Sequence, residues 1–373
     1  MQVDWTGTLL RALLRPGRLP HNPRRMSLPA FVRGAVLASV LVLLAACRIE
    51  SAAPSSGPAA AQAGAPSGDV WVYTSIYRHV LDALDPLLKQ KLPGVQVHWY
   101  QAGSEKVASR LEAERAAGAV RADLLATSDP FLYERLAREG AFARHASPDV
   151  LRVPRSLVDP DARYAAIRLS TMVLVHRQGA APVPASFEEL ANGRWKGRVA
   201  IGDPLTSGTA FTWAVFCLAR YGDAYFDGLR RHGAIVAGGN AAVLQKVESG
   251  EADAGVLLLE NALAARARGS PIKVVWPSDG AVVIPGPVAL FATTPNPVAA
   301  KAVLDVLLSP EGQRLIVEKG DMHAVDPRLG GPRGEAGVEG LLERAQPWTP
   351  ALVERGLTRG GAIKETFSQA FSK

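Results

Sequence analysis

Residues 70–91 read VWVYTSIYRHVLDALDPLLKQK, a strand-like run that leads directly into a helix-like run. The first five residues are β-branched or aromatic and favour a short strand over residues 70–74. From residue 77 onward, apolar residues recur at helical spacing and predict an amphipathic helix over residues 77–91; they are Val80, Leu81, Leu84, Leu87 and Leu88. A strand that feeds a helix is the repeating unit of α/β folds.

The same alternation continues along the chain, which has 373 residues and is 48% hydrophobic, enough for two lobes. Its repeated strand–helix units indicate a parallel sheet covered on both faces. Further strands are predicted over residues 95–100, 123–127, 198–201 and 254–259. Further helices are predicted over residues 104–117, 130–139, 209–221, 241–249, 261–267, 297–308 and 310–319, with two separate terminal helices over 347–356 and 363–371.

Residues 163–176 form a long extended stretch with no helix after it, and residues 280–294 are again extended. We interpret them as connections that carry the chain into a second lobe and back. The predicted fold class is therefore α/β, a two-lobed clamshell of the type II-like binding-protein kind, with two hinge-crossing strands. Lobe 1 is predicted to comprise residues 69–168 plus 287–373, and lobe 2 residues 169–286.

The N-terminal part is typical of an export signal. Residues 26–47 read MSLPAFVRGAVLASVLVLLAAC, and the apolar part over 34–46 is too short to span a bilayer. The ending LAAC resembles the lipobox of bacterial lipoproteins and predicts lipidation of Cys47. We expect residues 1–47 to be a signal peptide, with Met26 as an alternative start, and residues 48–68 to be a flexible tether. The expected location is the periplasm, or the outer face of the cytoplasmic membrane, with a lipid anchor as the sole membrane attachment.

Charge and motifs exclude several classes of function. The net charge is +7, but residues 1–47 hold six Arg and one Asp, which leaves +2 for the remainder and gives nucleic-acid binding no support. Gly-x-Ser-x-Gly and His-Glu-x-x-His motifs are absent, and the seven His are scattered. We therefore expect no enzyme activity, no catalytic residue, no metal site and no cofactor.

Four phrases carry a resemblance to a known family: VWVYTSIY (70–77), RWKGRVAIGDPLTSGT (194–209), VESGEADAGV (247–256) and LLSPEGQRLI (307–316). In their order and spacing they resemble the periplasmic solute-binding proteins of ABC importers. The resemblance covers about residues 69–327 and is to the two-lobed group that binds ferric iron, thiamine, phosphonates or sugar phosphates. It implies a monomer that captures a small-molecule solute and delivers it to an ABC permease in the inner membrane.

The best candidate for ligand contact is the loop DPLTSGT over residues 203–209, where a strand gives way to a helix. Backbone N–H groups are unpaired at a helix start and the helix dipole is positive there, which favours a phosphate, phosphonate or carboxylate. The loop hydroxyls can instead cap the helix, and the two roles are compatible. The candidates here are Thr206, Ser207, Gly208 and Thr209.

Other strand-to-helix corners should open on the same edge of the sheet. In the first lobe these corners hold Ser75, Ser104, Ser128 and Asp129. Tyr77 can stack on a ligand or pack in the core. In the second lobe Glu260 follows a buried strand.

The nature of the solute is the least constrained prediction. Ferric-iron members of the group carry adjacent tyrosines, or His and Tyr, where this chain has Leu258-Leu-Glu-Asn-Ala262. A carboxyl group near an anion-binding helix start suits a phosphonate or a phosphorylated compound that is anionic or zwitterionic. Three alternatives stay open: a ferric-iron binding protein, a sensory lipoprotein with the same clamshell, and an enzyme on the same fold.

Overall fold

A computed structural model describes residues 65–371. The strands are β1 (Gly68–Thr74), β2 (Val95–Gln101), β3 (Leu124–Ala126), β4 (Phe142–Ala143), β5 (Tyr164–Arg177), β6 (Val199–Ile201), β7 (Ile235–Val236), β8 (Ala254–Leu258), β9 (Ile272–Val275) and β10 (Val282–Phe291). The helices are α1 (Arg78–Lys91), α2 (Ser104–Ala116), α3 (Pro130–Arg138), α4 (Pro148–Arg152), α5 (Gly208–Tyr221), α6 (Ala224–Arg231), α7 (Asn240–Glu248), α8 (Leu259–Ala267), α9 (Pro297–Leu308), α10 (Pro310–Gly320), α11 (Val338–Glu343) and α12 (Pro350–Phe371).

The strands form one sheet in the order β2-β1-β3-β10-β5-β8-β6-β7, with β4 beside β10 and β9 beside β5. At one end β1 is parallel to β2 and β3, and at the other β6 is parallel to β7 and β8. The two long strands β5 and β10 run antiparallel between these groups and pair with each other from Tyr164 to Met172. They are the two predicted crossings, and the two-lobed α/β fold class is confirmed.

We call β1–β4 with α1–α4, α9 and α10 the first lobe, and β6–β9 with α5–α8 the second lobe. The helix face predicted from residues 77–91 is buried at Val80, Leu81, Leu84 and Leu88 and packs into the first core. A second core gathers around α5, where the whole of Trp213 is buried. The lobes have separate cores. Their strand-to-helix corners face each other.

The C-terminal segment differs from the prediction of two separate helices, because α12 is one helix of 22 residues. Two of its glycines mark places of close approach: a Cβ on Gly356 would overlap the ring of Phe131, and one on Gly360 would lie 3.2 Å from the ring of Phe211. Since α12 packs against α3 of the first lobe and against α5 and α6 of the second, it does not belong to the first lobe alone.

The predicted signal peptide, the lipidation site Cys47 and most of the tether lie outside the described residues. Between residues 65 and 371, no helix is long and apolar enough to cross a bilayer.

Candidate functional site

A cavity of about 240 Å³ lies where the strand-to-helix corners of the two lobes meet. Nine of the ten residues predicted for ligand contact line it, and Asp129 is the exception. The nine lining residues are Ser75, Tyr77, Ser104, Ser128, Thr206, Ser207, Gly208, Thr209 and Glu260. The structure therefore brings together residues that are up to 185 positions apart in the chain. Their contact with a solute stays a prediction.

Several helices begin at this cavity, and most of them begin without a side-chain cap. Tyr77, Gly103, Gly239 and Leu258 are the N-cap residues of α1, α2, α7 and α8, and all four line the cavity. None of them makes a side-chain capping hydrogen bond. Their helices therefore present unpaired backbone N–H groups and the positive ends of four dipoles, an environment that favours an anion.

The loop before α5 behaves differently. The Ser207 hydroxyl accepts from the Ala210 N–H at 3.3 Å and caps the helix, and it also lies 3.1 Å from the Thr209 hydroxyl. Thr209 in turn accepts from the side-chain amide of Asn240 at 3.0 Å, whereas Thr206 is exposed. The capping alternative thus holds for Ser207, and these hydroxyls also hold the start of α7 against that of α5.

Arg168 provides the positive charge of the cavity. It lies on β5, is 2% exposed, and donates from Nη1 to the Ser128 hydroxyl at 3.0 Å and from Nη2 to the Ser75 hydroxyl at 3.2 Å. Burial lowers the pKa of its guanidinium, against the opposing charges of Glu260 and Tyr77. Space for the side chain comes from Gly286 on the neighbouring strand, where a Cβ would lie 2.6 Å from Nη1.

Glu260, in the first turn of α8, is the buried carboxyl of the cavity and is 3% exposed. Burial raises its pKa to about 7, although backbone N–H groups, the Ser170 hydroxyl and the Arg168 guanidinium all act to lower it. Its Oε1 atom is buried and has no hydrogen-bond partner among the described residues. A buried acceptor without a partner costs about 1–3 kcal/mol, so this atom is suited to a donor that a ligand brings.

The two lobes touch around the cavity. The Tyr77 hydroxyl of the first lobe donates to Oδ1 of Asn261 in the second lobe at 2.9 Å. Gly208 of the second lobe approaches the first so closely that a Cβ would lie 2.9 Å from Cβ of Ser104 and 3.3 Å from the Ser128 carbonyl oxygen. The two lobes of the clamshell are therefore in a closed arrangement.

Asp129 does not join the cavity, because its carboxylate caps α3. Its Oδ1 accepts from the N–H groups of Phe131 at 3.2 Å and Leu132 at 3.3 Å. Burial, with the nearby charge of Glu105, raises the pKa of Asp129 to about 6. Asp129 thus has a capping role in this structure, its neighbour Ser128 lines the cavity, and contact of Asp129 with a solute stays a prediction.

The sequence analysis missed several lining residues, of which Arg168 is the most informative. A signal for it existed: Arg168 is the one charged residue between Tyr164 and His176, and its partner strand carries the unusual Pro285-Gly286-Pro287. An arginine inside a buried strand needs a polar function or a partner. The other missed lining residues include Ser170, Asn240 and Met322.

Metal ligands are sparse in the part of the chain that the structure describes. No group of three or more His, Cys, Asp or Glu side chains is placed to hold a metal ion there. In the cavity, the oxygen donors with anionic character are the Glu260 carboxyl and the Tyr77 phenol, and burial raises the pKa of both. Hydrogen bonding and charge are therefore the chemistry that these side chains offer to a ligand.

Two lobes that close on a polar cavity define a ligand-binding clamshell. The family model described as bacterial extracellular solute-binding protein matches residues 68–320, and the chain belongs to that family. This confirms the resemblance found in the sequence. An uncharacterized protein of Haemophilus influenzae is 31% identical over 147 residues, which span 38% of this chain and 42% of that relative.

Solved structures share the fold at low identity. The substrate-binding protein of an ABC transporter from Agrobacterium tumefaciens superposes with a TM-score of 0.72 at 20% identity, over 83% of this chain and 95% of that one. Iron-bound HitA from Pseudomonas aeruginosa gives 0.70 at 20% identity, over 82% and 100%. The periplasmic binding protein AfuA from Actinobacillus pleuropneumoniae, with fructose-6-phosphate bound, gives 0.71 at 19%, over 82% and 99%. At these identities the likenesses establish the two-lobed fold.

Proposed function

We propose that this protein captures a small anionic or zwitterionic solute, with a phosphonate or phosphorylated compound favoured, and delivers it to an ABC permease. The observation that carries the proposal is the buried Arg168 in a cavity on which four uncapped helix starts converge. Guanidinium and backbone N–H groups are the donors with which proteins bind phosphate and phosphonate oxygens.

Titration calorimetry on the purified protein, freed of bound ligand by partial unfolding and refolding, tests the solute class. We expect heat and tight binding with 2-aminoethylphosphonate or with a sugar phosphate, and no heat with Fe(III)-citrate. Heat with Fe(III)-citrate alone would overturn the proposal in favour of the ferric-iron alternative. Mass spectrometry of the ligand that co-purifies with the protein would identify the solute directly.

Delivery to a permease is supported by the family and by the fold shared with an ABC substrate-binding protein. We propose a monomer that binds its solute without chemical turnover. In cells that lack this gene, uptake of the radiolabelled solute should be lost and should return with the wild-type gene. If uptake is unchanged and a neighbouring histidine kinase loses its response instead, the sensory alternative is correct.

Lipid attachment at Cys47 is part of the same proposal and rests on the LAAC sequence at residues 44–47. Metabolic labelling with a palmitate analogue should label the wild-type protein and not Cys47→Ala. Cys217→Ala is a matched control, because Cys217 is buried in α5. Label that persists in Cys47→Ala would contradict the anchor.

A further inference from the structure

The cavity holds two opposite charges that are not paired with each other. Arg168 turns both Nη atoms to hydroxyls of the first lobe, at Ser128 and Ser75. Neither Nη atom is therefore the partner of Oε1 of Glu260, which has no hydrogen-bond partner among the described residues. Two buried opposite charges that attract each other yet stay apart leave room for a group that lies between them or beside each.

One of the two carboxyl oxygens of Glu260 has no donor from the protein. Its Oε1 is buried and unpartnered, and the nearby Tyr77 hydroxyl donates to Asn261 instead. A carboxylate accepts hydrogen bonds only, so Oε1 needs an N–H or O–H group from outside the protein. An ammonium group satisfies both the open acceptor and the buried negative charge, whereas a hydroxyl satisfies the acceptor alone.

We infer that the solute is a zwitterion, with its anionic group at Arg168 and the uncapped helix starts and its ammonium group at the open oxygen of Glu260. This inference rests on the proposed function and narrows its solute class. It makes the cavity overall neutral when it is occupied, since each buried charge meets its opposite.

The test compares 2-aminoethylphosphonate with propylphosphonate, which has nearly the same shape and no ammonium group. On the wild-type protein we expect the amine to bind at least thirtyfold more tightly. In Glu260→Gln the preference should fall to below threefold. Glu318→Gln, on the exposed face of α10, is the matched control and should keep the full preference. Because each preference is a ratio measured on one protein sample, loss of folded protein cannot imitate the result.

The outcomes separate the two proposals. Equal binding of both phosphonates to the wild-type protein, or an unchanged preference in Glu260→Gln, would overturn the zwitterion and leave the anion-binding function standing. If neither phosphonate nor any phosphate ester binds, the proposed function itself is wrong, and the zwitterion is overturned with it.

Discussion

Asp129 and Glu260 are both buried carboxyl groups at corners where a strand gives way to a helix, one in each lobe. Burial raises the pKa of both, to about 6 for Asp129 and about 7 for Glu260. They differ in what their oxygens meet. Asp129 accepts from two N–H groups at the start of α3, whereas Oε1 of Glu260, a residue that lines the cavity, is buried without a hydrogen-bond partner.

The difference shows that an acid at a helix start has one of two roles, capping the helix or lining the cavity. Its position relative to the helix decides which role it has. Asp129 is the N-cap residue, so its short side chain folds back on the first N–H groups. Glu260 is the second residue of α8, and hydrogen bonds from its own backbone N–H, the Ser170 hydroxyl and the Thr171 N–H act to lower the pKa of its carboxyl, while Oε1 has no partner. The acid at the α3 corner caps its own helix, whereas the acid at the α8 corner keeps one buried oxygen without a partner.

The strongest test of this comparison is to remove the charge of Arg168, which faces Glu260. Arg168→Met should lower the affinity for a phosphonate or phosphate ester at least about 30-fold, because a buried charged hydrogen bond costs about 2–5 kcal/mol when one partner is removed. Titration calorimetry measures the loss. Arg314→Met, at an exposed position of α10, is the control and should bind as the wild type does. Unchanged binding by Arg168→Met would show that the anion lies elsewhere.

The pH dependence of the free energy of unfolding tests the raised pKa of Glu260. The folded-state pKa of Glu260, about 7, lies above its unfolded value, so the ligand-free protein should lose stability as the pH rises from about 4.5 through 7. Arg168 and Tyr77 face this carboxyl across the cavity. The raised pKa of Glu260 already takes the charges of both groups into account.

Glu260→Gln cannot ionise and should escape this loss. Urea unfolding should find it more stable than the wild type by about 3 kcal/mol at pH 8, from 1.36 kcal/mol for each pKa unit, and by only about 1 kcal/mol at pH 5. A Gln variant that is no more stable at pH 8 than at pH 5, relative to the wild type, would mean that Glu260 ionises freely in the folded protein.

Much of the fold followed from periodicity, and the site followed from topology. The helix and strand over residues 68–91 were predicted to within two residues because apolar side chains repeat there with clean helical and strand periods. The single helix α12 was not, since Gly360-Gly361 indicates a break when the rings that pack on α12 are unknown.

For the site, strand-to-helix corners share one edge of a sheet, so nine of the candidates could be placed together from sequence. Arg168 could not, because it lies within a crossing strand and reaches the cavity only through the register that sets it beside Gly286. Nor could sequence separate Asp129 from Glu260, because both are acids at such corners and only three-dimensional hydrogen bonding distinguishes them.

The close approach of the lobes at Gly208 gives a smaller effect on the same cavity. Gly208→Ala should lower solute affinity about tenfold, because its Cβ would meet Cβ of Ser104 at 2.9 Å and overpacking costs about 1–3 kcal/mol in the closed form. Gly361→Ala, with open space around its Cβ, should bind normally. Equal affinity for the two variants would mean that the solute is held without this contact between the lobes.

The smallest effect belongs to Asp129, and it completes the comparison. Asp129→Asn keeps a capping oxygen and should bind the solute within about threefold of the wild type, unlike Glu260→Gln. Asp129→Ala loses the cap and should be less stable than Asp129→Asn by about 1 kcal/mol in urea unfolding. If Asp129→Asn instead lost 2-aminoethylphosphonate as Glu260→Gln is expected to, the carboxyl of α3 would have to leave its cap and enter the cavity when the solute binds. The two acids would then share one role, and the difference in their oxygens would hold for the ligand-free protein alone.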